Sequence, residues 1–192
     1  MDNPFEADQY MIRRKVFSFL GQKFHVYDAQ ERLTLFCQQK AFKLKEDIRI
    51  FSDESKSQER LVIKARQIVD FSAAYDVVDS ETGRKIGALR RKGWASLIRD
   101  SWEFLDPVDR PIASLKEDST TMALLRRFLT NLIPQSYDLS VDGRRLASYE
   151  QNFNPFVLKL TVTIAPGARD VVDPRLVLAG GILLCAIEGR QN

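Results

Sequence analysis

Most of the chain repeats one pattern of apolar and polar positions. A short run that alternates apolar and polar residues is followed by an Asp, a polar turn, an Arg and a second alternating run. The pattern recurs in stretches that begin at Lys23, Ile48, Tyr75, Trp102 and Tyr137. Alternation with period two is typical of β-strands that bury one face. The repeats therefore predict five β-hairpins, which together supply ten strands.

The turns between the paired runs carry residues suited to a tight reversal. An Asp side chain accepts hydrogen bonds from the backbone just beyond it and so initiates turns. Thr82–Gly83, Asp106–Pro107 and Asp142–Gly143 supply the backbone angles that short hairpins require. The residues that open the turns are Asp28, Asp53, Asp79, Asp106 and Asp142, and those that close them are Arg32, Arg60, Arg84, Arg110 and Arg144.

Two further strands bracket the hairpins. Residues of about 11–20 form a plausible first strand, and residues 156–165 alternate cleanly enough to form the last one. Short connections throughout predict an antiparallel up-and-down sheet. An open sheet of this size would leave two edges for aggregation, whereas closure removes both. We therefore expect a mainly β fold, a closed antiparallel β-barrel of about twelve strands.

Two helices interrupt the strand pattern. Residues 118–134 carry apolar side chains at helical spacing, with Ser119 or Thr120 as a plausible N-cap and Pro134 as the stop. The second helix has Asp173 as its N-cap and Pro174 at its first position. It continues into LVLAGGILLCAI at 176–187, which is apolar on every face.

The length of this apolar run decides where the second helix lies. Twelve residues rise roughly 18 Å, whereas a bilayer core is roughly 30 Å thick. We therefore expect no transmembrane span and place the helix inside the barrel. Gly180 and Gly181 cost about 1 kcal/mol each in helix propensity, which is tolerable where barrel walls press close. The side chains expected in the core are Leu176, Leu178, Ile182, Leu183, Leu184 and Ile187.

The composition limits which classes of protein are expected. A net charge of +3 is too mild for a typical nucleic-acid binder. Cys37 and Cys185 lie far apart and are expected to be reduced thiols. The N-terminus has acidic residues and no apolar segment typical of secretion signals, so we expect a cytoplasmic protein. The single histidine, His25, lies in an alternating strand and is interpreted as structural.

No catalytic or cofactor-binding constellation is recognisable. Without a second histidine or a paired cysteine, a zinc site or a histidine-dependent triad is not expected. No P-loop, G-x-G-x-x-G or G-x-S-x-G motif occurs. Asp170 and Asp173 provide too few oxygens for calcium, which takes six to eight. We therefore predict no cofactor, no metal and no catalytic residues.

The motifs resemble those of a known family. They are residues 10–28, the hairpins 75–93 and 137–153, and above all VTIAPGARDVVDPRLVLAGGILLCAIE at 162–188. These stretches are similar to the LURP-one-related family, a relative of phospholipid scramblases and of the tubby C-terminal domain. The resemblance covers about residues 9–189. It implies a barrel closed around a C-terminal helix, with a flexible tail at 1–9 and one domain at 10–190.

The resemblance also implies a function close to membranes. Tubby domains bind phosphoinositide head groups, and scramblases are associated with calcium-dependent lipid movement. We therefore expect a non-enzymatic module that binds anionic phospholipid or a membrane-associated partner. Two alternatives stay open: scramblase-like lipid movement, and an enzyme or small-ligand binder with a pocket at a barrel mouth.

Basic clusters are the best candidates for a lipid-binding surface, because each Lys or Arg near an anionic membrane contributes about 1 kcal/mol. The alternative interpretation is that they only solvate the outer barrel face. The expected lipid-binding residues are Arg13, Arg14 and Lys15, and Arg90, Arg91 and Lys92 with Trp94 close by. Two further clusters are Lys40, Lys43 and Lys45, and Arg126 with Arg127.

Overall fold

A computed structural model describes residues 3–15, 22–39, 47–66, 73–92, 101–117, 135–152 and 157–188. Its strands form a closed antiparallel barrel of twelve, in which each strand pairs with its sequence neighbours and β1 pairs with β12. The strands are β1 Gln9–Lys15, β2 Gln22–Asp28, β3 Leu33–Gln39, β4 Ile48–Phe51, β5 Glu59–Ala65, β6 Ala74–Asp79, β7 Lys85–Arg91, β8 Ser101–Leu105, β9 Pro111–Glu117, β10 Ser136–Val141, β11 Arg144–Gln151 and β12 Val157–Ile164. The predicted architecture is confirmed.

The five predicted hairpins are β2–β3, β4–β5, β6–β7, β8–β9 and β10–β11, and their turns all lie at one end of the barrel. We call it the turn end, and the other the far end. In each hairpin the register shifts near the turn, so that one residue of the second strand has no partner. Such bulges increase local twist and help a sheet to close. The unpartnered residues are Thr34, Arg60, Ile86, Ile112 and Leu146.

The C-terminal helix α1, Pro174–Glu188, runs through the barrel from the turn end to the far end. Asp173 caps it as predicted, because its Oδ1 accepts a hydrogen bond from the Arg175 backbone N–H at 2.9 Å. The predicted core residues Leu176, Leu178, Ile182, Leu183 and Leu184 are all buried, and Ile187 is half-buried against the same core. The interpretation of this segment as the centre of the fold is confirmed.

The two glycines of α1 lie directly against the barrel wall. A Cβ atom on Gly180 would lie 2.7 Å from Cζ of Phe104, and one on Gly181 would lie 2.7 Å from Cδ1 of Ile12. The Tyr149 hydroxyl, which would lie 3.3 Å from the same Cβ on Gly180, donates a hydrogen bond to the Val177 carbonyl at 2.9 Å. The wall therefore requires small residues in the middle of α1.

Residues 3–8, part of the segment expected to be a tail, pack against the turn end. Phe5 is 6% exposed and belongs to the core. Arg169 donates hydrogen bonds to the carbonyls of Phe5, Glu6 and Ala7 at 2.7–3.0 Å. This arginine follows β12 in a 3₁₀ turn, Ala168–Asp170. The expected helix at 118–134 lies outside the described residues.

Candidate anion-binding surface

The two basic clusters expected to bind lipid lie on opposite walls of the barrel. Arg13 belongs to β1 and Arg90 to β7, and equal numbers of strands separate β1 from β7 in both directions around the barrel. Both clusters lie toward the far end, because β1 and β7 run from the turn end to the far end. They therefore form two separate surfaces rather than one.

Two cations of the β7 cluster share one carboxylate. Glu103 on β8 accepts hydrogen bonds from Arg90 Nη2 at 2.6 Å, and its Oε1 lies 2.7 Å from Lys92 Nζ. Although burial opposes the shift, these contacts hold the pKa of Glu103 below its usual value. Arg91 lies on the same strand face as buried Leu89, which points into the barrel. Trp94 lies outside the described residues.

The β1 cluster divides between the two faces of its strand. Arg13 is exposed, but Arg14 shares the inner face with Ile12 and is only 3% exposed. Its Nη1 donates a hydrogen bond to the Cys185 carbonyl at 2.8 Å, near the end of α1, where a cation also complements the helix dipole. Arg14, one of the expected lipid-binding residues, therefore points into the barrel. The side chain of Lys15 lies outside the described part of the chain.

The closure of the barrel places a second cation directly beside Arg13. Lys159 on β12 is its register partner, and His25 is its partner on β2. Lys23 lies two residues from His25 on the same strand face and is exposed. We call Arg13, Lys23 and Lys159 the basic strip. None of the three forms a salt bridge within the described part of the chain.

Two acidic residues and two larger, partly apolar residues lie around the basic strip. Among the described residues, the Glu54 carboxylate contacts His25 Nε2 at 2.5 Å, and Glu150 is the register partner of Thr161. Toward the turn end, Met11 and Tyr27 are register partners on the outer face, and both are half-exposed. The strip therefore combines three cations that form no salt bridge among the described residues with an adjacent pair of larger, partly apolar side chains.

Sequence reasoning missed Lys23 and Lys159 because neither belongs to a run of basic residues. Two features of the sequence point to Lys159. Barrel closure makes β12 a neighbour of β1, and alternation places Lys159 on the outer face because Leu160 is buried. Only the register, which pairs Lys159 with Arg13, joins these two features. The same alternation predicts that Arg14 points inward with Ile12.

A cleft of about 460 Å³ opens at the turn end, between the N-terminal segment and the start of α1. Three of its charged groups bind one another. Arg175 contacts Asp79 at 2.5 Å and Asp173 at 2.6 Å, and Arg169 is committed to the N-terminal backbone. The described residues contain no group of three or more His, Cys, Asp or Glu side chains placed to hold a metal ion.

Comparison with known proteins identifies the fold family. The family model described as LURP-one-related matches residues 33–185, which is most of the barrel and nearly all of α1. A search of the curated proteins finds no match. No helix within the described ranges is long and apolar enough to cross a membrane.

Proposed function

The chain belongs to the LURP-one-related family, and from this premise we propose that it binds anionic phospholipid surfaces through the basic strip. The family and its tubby-like barrel support a binding module rather than a catalyst. The observation that carries the proposal is the cross-strand pair of Arg13 and Lys159, two cations side by side on the outer wall.

A like-charge pair directly opposite across two strands destabilises a sheet. Arg13 and Lys159 lie in this relation, and neither has a carboxylate partner among the described residues. By contrast, Arg90 and Lys92 share Glu103 on the opposite wall. An anionic partner would relieve the repulsion in the strip, which favours this wall over the other as the binding surface.

The expected affinity is modest and depends on salt. Each Lys or Arg close to an anionic bilayer contributes about 1 kcal/mol, so the three cations of the strip supply about 3 kcal/mol. That corresponds to a preference of roughly 150-fold for anionic over neutral bilayers. Exposed charges are screened over about 8 Å at physiological ionic strength, so binding weakens as salt is added.

Two neighbouring side chains suit the same surface. Tyr27 is half-exposed beside the strip, and tyrosine is enriched at the level of lipid head groups, where its ring is apolar and its hydroxyl meets water. Met11 adds a flexible apolar side chain next to it. The proposal keeps α1 inside the barrel, so it involves contact with a bilayer and no movement of lipid across it.

Vesicle co-sedimentation tests the proposal. The protein is titrated with vesicles of phosphatidylcholine alone, with added phosphatidylserine and with added phosphoinositide, at low and at physiological salt. We expect pelleting only with the anionic vesicles and a weaker effect at the higher salt. Absence of lipid-dependent pelleting at low salt would reject the proposal.

Arg13 and Arg14 provide a matched pair of variants for this assay, because they are adjacent in sequence and differ in the face they occupy. Arg13→Ser is expected to weaken binding about fivefold, equivalent to about 1 kcal/mol, without loss of stability. Arg14→Ala is expected to lower stability by about 1–3 kcal/mol through loss of a charged hydrogen bond, with unchanged binding of the folded protein. The reverse pattern would contradict the assignment of the two faces.

A further inference from the structure

The histidine beside the basic strip has surroundings that link its charge to that of the strip. His25 is the single histidine of the sequence. It is the register partner of Arg13, and its side chain is 27% exposed, so water reaches it. Its ring packs against Phe36 of β3 at a centroid distance of 5.3 Å. A purely structural role for His25 explains why its ring packs against Phe36, but it does not explain why the ring lies beside Arg13.

The charged groups that face His25 come from several elements. Arg13 lies opposite on β1, Lys23 and Tyr27 lie on the same face of β2, and Glu54 reaches over from the turn between β4 and β5. Among the described residues, Glu54 is the carboxylate that contacts the ring, with Oε1 at 2.5 Å from Nε2. The ring thus lies between one carboxylate and the cations of the strip.

Building on the proposed function, we propose that His25 and Glu54 act as a pH-dependent control of lipid binding by the basic strip. When His25 is neutral, the negative charge of the Glu54 carboxylate that contacts it is not balanced by the ring. When His25 gains a proton, the pair becomes neutral overall, and the surface gains one positive charge. Binding to an anionic bilayer therefore strengthens as pH falls through the range in which histidines take up a proton, roughly pH 5 to 8.

The expected size of the effect follows from the charge involved. One unit of charge near an anionic surface corresponds to about a fivefold change in binding. By linkage, a bilayer that binds the protonated form more tightly must also favour protonation of His25. Binding and proton uptake are thus two measurements of the same coupling.

The experiment measures binding to vesicles of phosphatidylcholine and phosphatidylglycerol at pH 5.5 and pH 8.0. Phosphatidylglycerol suits the test because its phosphodiester stays ionised over this range. We expect about fivefold tighter binding at the lower pH for the natural sequence. His25→Gln, which stays neutral, is expected to lose this dependence, and Glu54→Gln is expected to bind more tightly than the natural sequence at pH 8.0.

Failure of this inference is distinguishable from failure of the proposed function. No binding to the anionic vesicles at either pH would reject both. Binding that depends on Arg13 but keeps its pH dependence in His25→Gln would reject only the role of His25. A second measurement needs no variant. The ring proton signal of the single histidine is followed by nuclear magnetic resonance, and its titration midpoint must move to higher pH when phosphatidylglycerol bicelles are added. An unmoved midpoint would overturn the inference.

Discussion

At the scale of single residues, the turns show how short-range chemistry forms this barrel. Asp106 Oδ1 accepts hydrogen bonds from the backbone N–H groups of Val108 and Arg110, each at 2.9 Å, and Arg110 Nε binds the other carboxylate oxygen at 2.7 Å. Asp28 makes the equivalent contacts with Gln30 and Arg32. The repeated Asp and Arg of the sequence are thus the two ends of a hydrogen-bonded turn in these hairpins.

The turn carboxylates predict a pH dependence of stability. The Arg110 backbone N–H contributes most to holding the pKa of Asp106 below its usual value. Because the folded value lies below the unfolded value of about 4, this contribution is present at neutral pH and is lost as pH falls through the folded value. We expect Asp106→Asn to lower the unfolding temperature at pH 7, and to lower it less at pH 2.5.

The matched control for this prediction is Asp142→Asn. Asp142 occupies a two-residue turn with a φ of 48°, which asparagine tolerates, and its side chain has no hydrogen-bond partner within the described residues. Thermal unfolding followed by circular dichroism should therefore show little change for this variant at either pH. Equal losses for the two variants would show that the Asp106 contacts do not stabilise the turn.

At the scale of elements, the contact between α1 and the barrel wall is the most demanding feature of the fold. Apolarity alone predicts that α1 is buried, and the structure adds that its centre has no room for a side chain at Gly180 or Gly181. The obstacle differs between them. Gly180 faces the rigid ring of Phe104, whereas Gly181 faces the terminal methyl groups of Ile12 and Val162.

These contacts predict that alanine at either position lowers stability, which is the opposite of its effect in an ordinary helix. Glycine to alanine in a helix normally stabilises by about 1 kcal/mol, but overpacking costs about 1–3 kcal/mol. We therefore expect Gly180→Ala to lower the free energy of unfolding by about 1 kcal/mol, and Gly181→Ala to lower it less, because methyl groups move more easily than a ring. Urea denaturation measures both. A stabilised Gly180→Ala would show that the wall yields at this point.

At the scale of the whole molecule, the sequence predicts the architecture well and the surface poorly, for physical reasons. Alternation, turn residues and a uniformly apolar helix are patterns of neighbouring residues. The strands and the central helix can therefore be predicted without a structure. The partner of Arg13, however, is Lys159, which depends on how the first strand and the last one align when the barrel closes. The contact of Arg90 and Lys92 with Glu103 likewise depends on register between β7 and β8.

Two walls of the barrel therefore differ in how their cations are paired, and the distribution of basic residues along the sequence does not show this difference. Both carry basic residues near the far end, but only the wall of β12, β1 and β2 leaves adjacent cations without a carboxylate among the described residues. We propose that this wall, and not the wall of β7 and β8, faces an anionic bilayer.

A comparison of two double variants tests this claim most directly. Arg13→Gln with Lys159→Gln and Arg90→Gln with Lys92→Gln each remove two positive charges, so the net charge of the protein falls equally. In co-sedimentation with phosphatidylserine vesicles, and with thermal unfolding measured for both, we expect the first pair to weaken binding about 30-fold, or about 2 kcal/mol. The second pair should weaken it less than about threefold. Equal losses, or a larger loss for Arg90 and Lys92, would contradict the account.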